Sequence, residues 1–199
     1  ELPLYLSVTA ETNGTLLSGP DREVVTAVAE ALEVDFLGLN CATGPAPMDE
    51  HLAVLSRKAH CPLGLYPNAG LPLSDGRGGL LYDMGPEDFA AQVSELVARY
   101  PVALAGGCCG TTPEFIQALG ESLARAEPLP QRRETLPSRL SSTFGVVEMR
   151  QQPPPLFIGE RANATGSKAF RQALLAGEME QAFELMCAQE ADGAHVLDL

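Results

Sequence analysis

The chain has 199 residues, 45% hydrophobic and 20% charged, a composition that excludes a collagen, a coiled coil and a disordered tail. Its formal charge of −13 argues against nucleic acid as a partner, since phosphate binding needs clustered Lys and Arg. No apolar run approaches the ~18 residues of a membrane helix, and the segment from Glu1 lacks a basic, signal-like start.

Residues 1–126 alternate between short apolar runs and stretches with helical spacing. The runs fall at 4–8, 34–39, 62–66 and 102–105. Val24, Val25, Val28 and Leu32 make the first helical stripe, and Met48, Leu52, Leu55 and Ala59 the second. Phe89, Val93, Leu96 and Val97 make the third, and Phe115, Ile116, Leu119 and Leu123 the fourth. Pro86 and Thr112-Pro113, each followed by acids, mark helix starts. Four consecutive βα units predict an α/β fold with a parallel sheet and right-handed crossovers. Either half of an eight-fold barrel or a small doubly wound sheet fits that count.

Residues 127–155 read as a linker. Pro128, Pro130 and Pro137 break any helix, and Pro153-Pro154-Pro155 predicts a polyproline II end. A short strand is expected within 144–149. A new βα pattern starts at Leu156-Phe157-Ile158, passes a polar loop at 159–167, continues as helix from Lys168 to Ala191 and ends in an apolar run at 194–199. Two strands and one helical connection cannot bury a core alone, so residues 156–199 read as the start of a second domain.

The five cysteines are an odd number without secreted spacing, which points to a reducing, cytoplasmic compartment. Cys41 ends the second run; Cys108 and Cys109 end the fourth, framed by Gly106-Gly107 and Gly110. In a βα barrel the loops after the strands form the active face. Neighbouring Cα atoms stand about 3.8 Å apart, too close for the usual disulfide, so the vicinal pair is not expected to bridge. Three thiolates suit Zn²⁺ and leave one of four tetrahedral positions for a substrate. The plainer alternative is three small buried hydrophobes, but it accounts for neither the vicinal pair nor its glycine frame. Cys61 and Cys187 have no such context and are expected to pack. His51, His60 and His195 lack ligand spacing; His51 and His60 are expected to face solvent.

Gly38-Leu39-Asn40-Cys41, Tyr66-Pro67-Asn68-Ala69-Gly70-Leu71-Pro72 and Gly106-Gly107-Cys108-Cys109-Gly110-Thr111-Thr112-Pro113 resemble the zinc-binding homocysteine methyltransferase domain. Gly159-Glu160-Arg161-Ala162-Asn163-Ala164-Thr165-Gly166-Ser167 resembles the start of a pterin-binding domain, with Ala162 and Ala164 where that family more often has larger residues. The combination is similar to the cobalamin-dependent methionine synthase family. The resemblance implies two halves of TIM barrels. Residues 1–126 would be the last four βα units of a homocysteine-binding barrel and residues 127–155 a linker. Residues 156–199 would be the first unit of a methyltetrahydrofolate-binding barrel.

It further implies methyl transfer to a zinc-activated homocysteine thiolate, giving methionine, with methylcobalamin as donor, recharged by 5-methyltetrahydrofolate. Zn²⁺ would sit on Cys41, Cys108 and Cys109, with water or Asn68 as a displaceable fourth ligand. A turn or substrate-binding role for Asn68 is the alternative. Asn40 beside Cys41, and Glu11 and Thr12 after the first strand, are placed to meet substrate; Asn40 is also placed to donate to a sulfur. Asn163, Thr165, Gly166, Ser167 and Asp198 are the expected pterin contacts, with an ordinary helix cap as the alternative for Ser167. No cobalamin-ligating Asp-x-His-x-x-Gly occurs, so the cobalamin domain would lie elsewhere in a longer protein, and this segment alone is expected to be inactive. Two other readings share the cysteines: a cobalamin-independent zinc homocysteine S-methyltransferase fused to another folate enzyme, and a non-catalytic zinc-binding module with a fourth protein ligand.

Overall fold

The computed structural model describes residues 2–127, 129–130 and 137–199. Contacts divide it into two compact units, Glu1–Leu136 with Ser141–Val146, and Pro137–Leu140 with Val147–Leu199. Among the described residues no helix is long and apolar enough to cross a membrane.

In the first unit β1 (Tyr5–Val8) leads to α1 (Arg22–Ala31), β2 (Phe36–Asn40) to α2 (Asp49–Lys58), and β3 (Leu63–Tyr66) to a hairpin of β4 (Pro72–Ser74) and β5 (Leu80–Tyr82). Then come α3 (Pro86–Arg99), β6 (Val102–Ala105) and α4 (Pro113–Leu123). The four βα strands form one parallel sheet in the order β1-β2-β3-β6. This arrangement is compatible with a fragment of a TIM barrel.

Each strand presents alternate residues to the two faces of the sheet. Leu37, Leu39, Leu63 and Leu65 are at most 1% exposed and share one core with Leu52, Leu55, Phe89 and Val93. On the opposite face Gly38 and Gly64 are register partners, and the Tyr5 ring lies across both. Tyr5 and Tyr66 face each other with ring centroids 5.8 Å apart.

Helix starts follow from local chemistry. Asp21 caps α1, its carboxylate accepting from the amides of Glu23 and Val24. Proline at the first position opens α3 and α4. The stripes on α2 and α3 are buried as the spacing predicts. On α1 the spacing misleads: Val28 and Leu32 are exposed, and the buried side is Val24, Val25, Ala27 and Ala29. Ile116 of α4 likewise faces out, while Phe115 and Leu119 are buried.

β7 (Arg139–Ser141) and β8 (Val146–Glu148) form a two-stranded ribbon inside the expected linker. Pro128 and residues 131–136 of that linker lie outside the described residues. The Gln152–Pro153 and Pro154–Pro155 bonds are cis, unlike the polyproline II helix expected there.

The second unit holds β9 (Ile158–Gly159), α5 (Lys168–Ala176), α6 (Met179–Ala191) and β10 (Val196–Leu197). β9 and β10 pair in parallel. Its small core is Ala162, Phe170, Ala173 and Ala182. Cys187, expected to pack, is exposed.

Candidate metal centre

Three loops at the C-terminal ends of β2, β3 and β6 build the site. β2 stops at Asn40, and Cys41 and Ala42 both take left-handed backbone angles, φ 57° and 56°. Residues with a Cβ adopt that region at a cost of about 1–3 kcal/mol and hold it only where surroundings fix it. Here the Cys41 amide donates to the Tyr66 carbonyl at 3.0 Å, and the Asn68 amide donates to the Thr43 carbonyl at 3.0 Å. The turn swings the Cys41 side chain toward the next loops.

The β3 loop also grips the β6 loop. The Cys108 amide donates to the Pro67 carbonyl at 2.8 Å, and the Ala69 amide donates to the Cys109 carbonyl at 2.9 Å. Buried Asn68 completes the clamp, its Oδ1 accepting from the Cys109 amide at 3.1 Å. Thr111 Oγ1 donates to the Cys108 carbonyl at 2.7 Å and tightens the turn after the vicinal pair.

The sulfurs of Cys41, Cys108 and Cys109 all lie within 4.8 Å of one another. Cys109 Sγ is 4.0 Å from Cys41 Sγ and 3.9 Å from Cys108 Sγ. Thiolates around a tetrahedral zinc, each about 2.3 Å from the ion, would stand about 3.8 Å apart. Cys41 and Cys108 sulfurs are in direct contact, with Cα atoms 5.7 Å apart, a spacing open to a bridge or to a shared metal. A bridge alone would not account for Cys109 standing against both. Cys41 and Cys108 are half-buried and Cys109 is exposed, so the cluster is accessible to a substrate. A soft divalent ion fits this donor set.

The other expected site residues fall into two groups. Asn68 joins the cluster through the Cys109 amide. Asn40 is turned to the first strand instead: its Oδ1 accepts from Ser7 Oγ at 2.7 Å and its Nδ2 donates to Thr9 Oγ1 at 3.2 Å. Glu11 and Thr12 lie in the exposed turn after β1, and among the described residues neither side chain bonds the cysteine loops.

His51, expected to face solvent, is 2% exposed and takes a hydrogen bond from Arg22 Nη1 on Nδ1 at 3.0 Å. His60 is exposed near Glu30, at 3.6 Å. His195 Nδ1 accepts from the Phe157 amide. Burial pushes the Cys61 thiol up, in keeping with a packing role.

Sequence reasoning missed Tyr82. The β4–β5 hairpin carries it back over the site, where the ring rests on Gly110. The signal was present as two apolar arms, Leu71-Pro72-Leu73 and Leu80-Leu81-Tyr82, around the turn residues Asp75-Gly76 and Gly78-Gly79.

In the second unit Asn163 and Asp198 come together, Asn163 Nδ2 donating to the Asp198 carboxylate at 2.8 Å. Asn163 Oδ1 accepts from the Thr165 amide at 2.8 Å. Ser167 caps α5, its Oγ accepting from the Phe170 amide at 3.2 Å. Thr165 and Gly166 are exposed between them, and Asp198 is exposed as well.

Residues 1–123 match the family model described as Homocysteine S-methyltransferase. The chain is 41% identical over 202 residues to the methionine synthase of Mycobacterium leprae (strain TN), covering 100% of this chain and 17% of that relative. It is 41% identical over 198 residues to the methionine synthase of Mycobacterium tuberculosis (strain ATCC 25618 / H37Rv), covering 100% of this chain and 16% of the relative. The chain thus spans about a sixth of the length of these relatives. The match includes the strands, the clamped loops and all three converging cysteines: the chain belongs to the homocysteine S-methyltransferase family.

Proposed function

We propose that this chain is the part of a methionine synthase that binds homocysteine and begins to bind the folate donor. The observation that carries the reading is the convergence of three sulfurs on one accessible point at the strand ends. Cys41, Cys108 and Cys109 are the residues that would hold Zn²⁺. The bound ion would favour the thiolate form of homocysteine near neutral pH. The chain's own part is to fix the three sulfurs. The left-handed turn at Cys41 and the clamp from Pro67, Asn68 and Ala69 set their positions before substrate arrives.

In this reading residues 1–126 form the last four βα units of a TIM barrel and residues 127–155 a linker. Residues 156–199 open a second barrel for 5-methyltetrahydrofolate, which recharges methylcobalamin held by another domain of the full-length protein in the cytoplasm. Glu11, Thr12, Asn40 and Asn68 are assigned to the homocysteine side, with Asn68 holding the Cys109 loop as well. Asn163 and Asp198 act as a bonded pair at the pterin site, with Thr165, Gly166 and Ser167 on the adjoining loop. The chain alone lacks the rest of both barrels and is inactive.

X-ray absorption on the zinc-loaded full-length protein tests this. Homocysteine should replace a light-atom ligand by sulfur, and Cys41→Ala or Cys108→Ala should abolish both stoichiometric zinc and methionine formation. An unchanged ligand shell on adding homocysteine would favour a non-catalytic zinc module instead.

A further inference from the structure

The sheet face opposite the helices ends, beside the cysteine loops, in a run of polar side chains. On β1 the alternation that turns Tyr5 to this face turns Ser7 and Thr9 there as well, and on β2 it turns Gly38 and Asn40. The register pairs Val8 with Leu39, so Thr9 stands beside Asn40, one strand spacing of ~4.8 Å away. Cys41 follows Asn40 directly, with the left-handed turn that carries its sulfur into the cluster.

The bonds in this run have a direction. Ser7 Oγ donates to Asn40 Oδ1 at 2.7 Å, which turns Asn40 Nδ2 toward Thr9. An amide nitrogen only donates, so Thr9 Oγ1 accepts from it, at 3.2 Å. The Thr9 hydroxyl must therefore point its own hydrogen elsewhere. Among the described residues no group accepts it, and Thr9 is exposed at the strand ends. Of the two charged groups of a free amino acid, the ammonium only donates and the carboxylate only accepts. A hydroxyl fixed as a donor selects the carboxylate.

We propose that Thr9 binds the α-carboxylate of the substrate amino acid, donating a hydrogen bond whose direction Ser7 and Asn40 set. The proposal rests on the homocysteine reading of the site. Only three carbons join the thiol of homocysteine to its carboxylate, and Thr9 is bonded to the residue that precedes Cys41. One molecule thus spans the sulfur cluster and the end of β1. Thr9 touches the substrate; Asn40 acts through Thr9 and is a positioning residue.

The test titrates full-length protein loaded with Co²⁺ with homocysteine and with 3-aminopropanethiol, the same thiol without its carboxylate. Binding is read from the sulfur-to-cobalt charge-transfer band. Thr9→Val should weaken homocysteine about 10-fold, the effect of losing a hydrogen bond to a charged group, and leave 3-aminopropanethiol within about twofold of wild type. Thr9→Ser keeps the donor and should keep the preference for homocysteine. Asn40→Ala lets the hydroxyl turn and should reduce that preference, but no further in a Thr9→Val background. If Thr9→Val weakens both thiols alike, the residue only supports the loop; if it weakens neither, it does not meet the substrate. Either result overturns the proposal. A preference lost equally in Thr9→Ser and Thr9→Val would assign it to packing and overturn the proposal too. Wild-type protein whose band responds to neither thiol would overturn the homocysteine reading itself, and this proposal with it.

Discussion

Gly38→Ala gives a direct test of how the sheet face opposite the helices is filled. The new methyl would stand 1.9 Å from Tyr5 Oη and 2.6 and 2.7 Å from Cζ and Cε2. Comfortable carbon contacts lie near ~3.5–4.0 Å, so the ring must move by about 1 Å or more. It has little room. Gly64, the register partner of Gly38, faces the same ring, and a Cβ there would be 2.4 Å from Oη. Overpacking of this kind costs about 1–3 kcal/mol, while alanine gains about 0.5–1 kcal/mol over glycine in a strand. The net expectation is a loss of about 1–2 kcal/mol. In a Tyr5→Ala background the clash is gone, and the same substitution should stabilise by about 0.5–1 kcal/mol. The change of sign is the signature, with a coupling energy of about 1.5–3 kcal/mol between the two sites. Pulse proteolysis of the full-length protein in urea reads it, with cleavage mapped to this segment. A Gly38→Ala effect of the same sign and size in both backgrounds would refute the account of Tyr5 packed on the glycine pair.

What the sequence disclosed and what it hid differ by range. The stripes on α2 and α3 were legible because large side chains dominate them: Leu52, Leu55, Phe89 and Val93 are all at most 1% exposed. On α1 the buried side includes Ala27 and Ala29, which carry little weight in a periodicity, so Val28 and Leu32 drew the stripe to the wrong side. The cysteine trio was legible because strand-end position and soft-ligand chemistry can both be read locally. The partners of its neighbours were not. Asn40 beside Cys41 suggested a bond to sulfur, but parallel pairing sets Ser7 opposite Gly38, which brings Ser7 and Thr9 within reach of the Asn40 amide. Register is a non-local fact, and one residue of slip would exchange the faces. His51 was misplaced for a related reason. Its partner, Arg22, is 29 residues away, on another helix. Tyr82 depended on a hairpin whose two arms carry only three paired residues each, too few for periodicity to separate from a loop.

Four further outcomes are expected. Leu52→Ala, at a position with 0% exposure, should cost about 2–5 kcal/mol in the same urea assay, and a loss under about 1 kcal/mol would count against the core described. In the second unit Ser167→Ala should lower stability by about 1 kcal/mol through the lost cap while leaving affinity for 5-methyltetrahydrofolate nearly intact. Asn163→Ala, which breaks the pair with Asp198, should weaken folate binding far more in titration calorimetry, and equal losses would remove the assignment of Asn163 to the pterin site. The last concerns pH. Burial first, and then the charge of Arg22, hold the His51 pKa below its ordinary 6.5. The folded protein therefore keeps His51 neutral where the unfolded chain accepts a proton, so the unfolded state binds more protons below about pH 6.5. Stability contributed by this site is complete above that pH and falls as the solution is acidified toward the depressed folded value. His51→Asn keeps an acceptor for Arg22 and cannot titrate there, so the gap between wild type and variant should narrow from pH 7.5 to pH 5.5. Carboxylate titration is common to both proteins and cancels in that comparison. Urea midpoints that fall in parallel across the range would mean that His51 is protonated in the fold, against the burial and the Arg22 contact that define its environment.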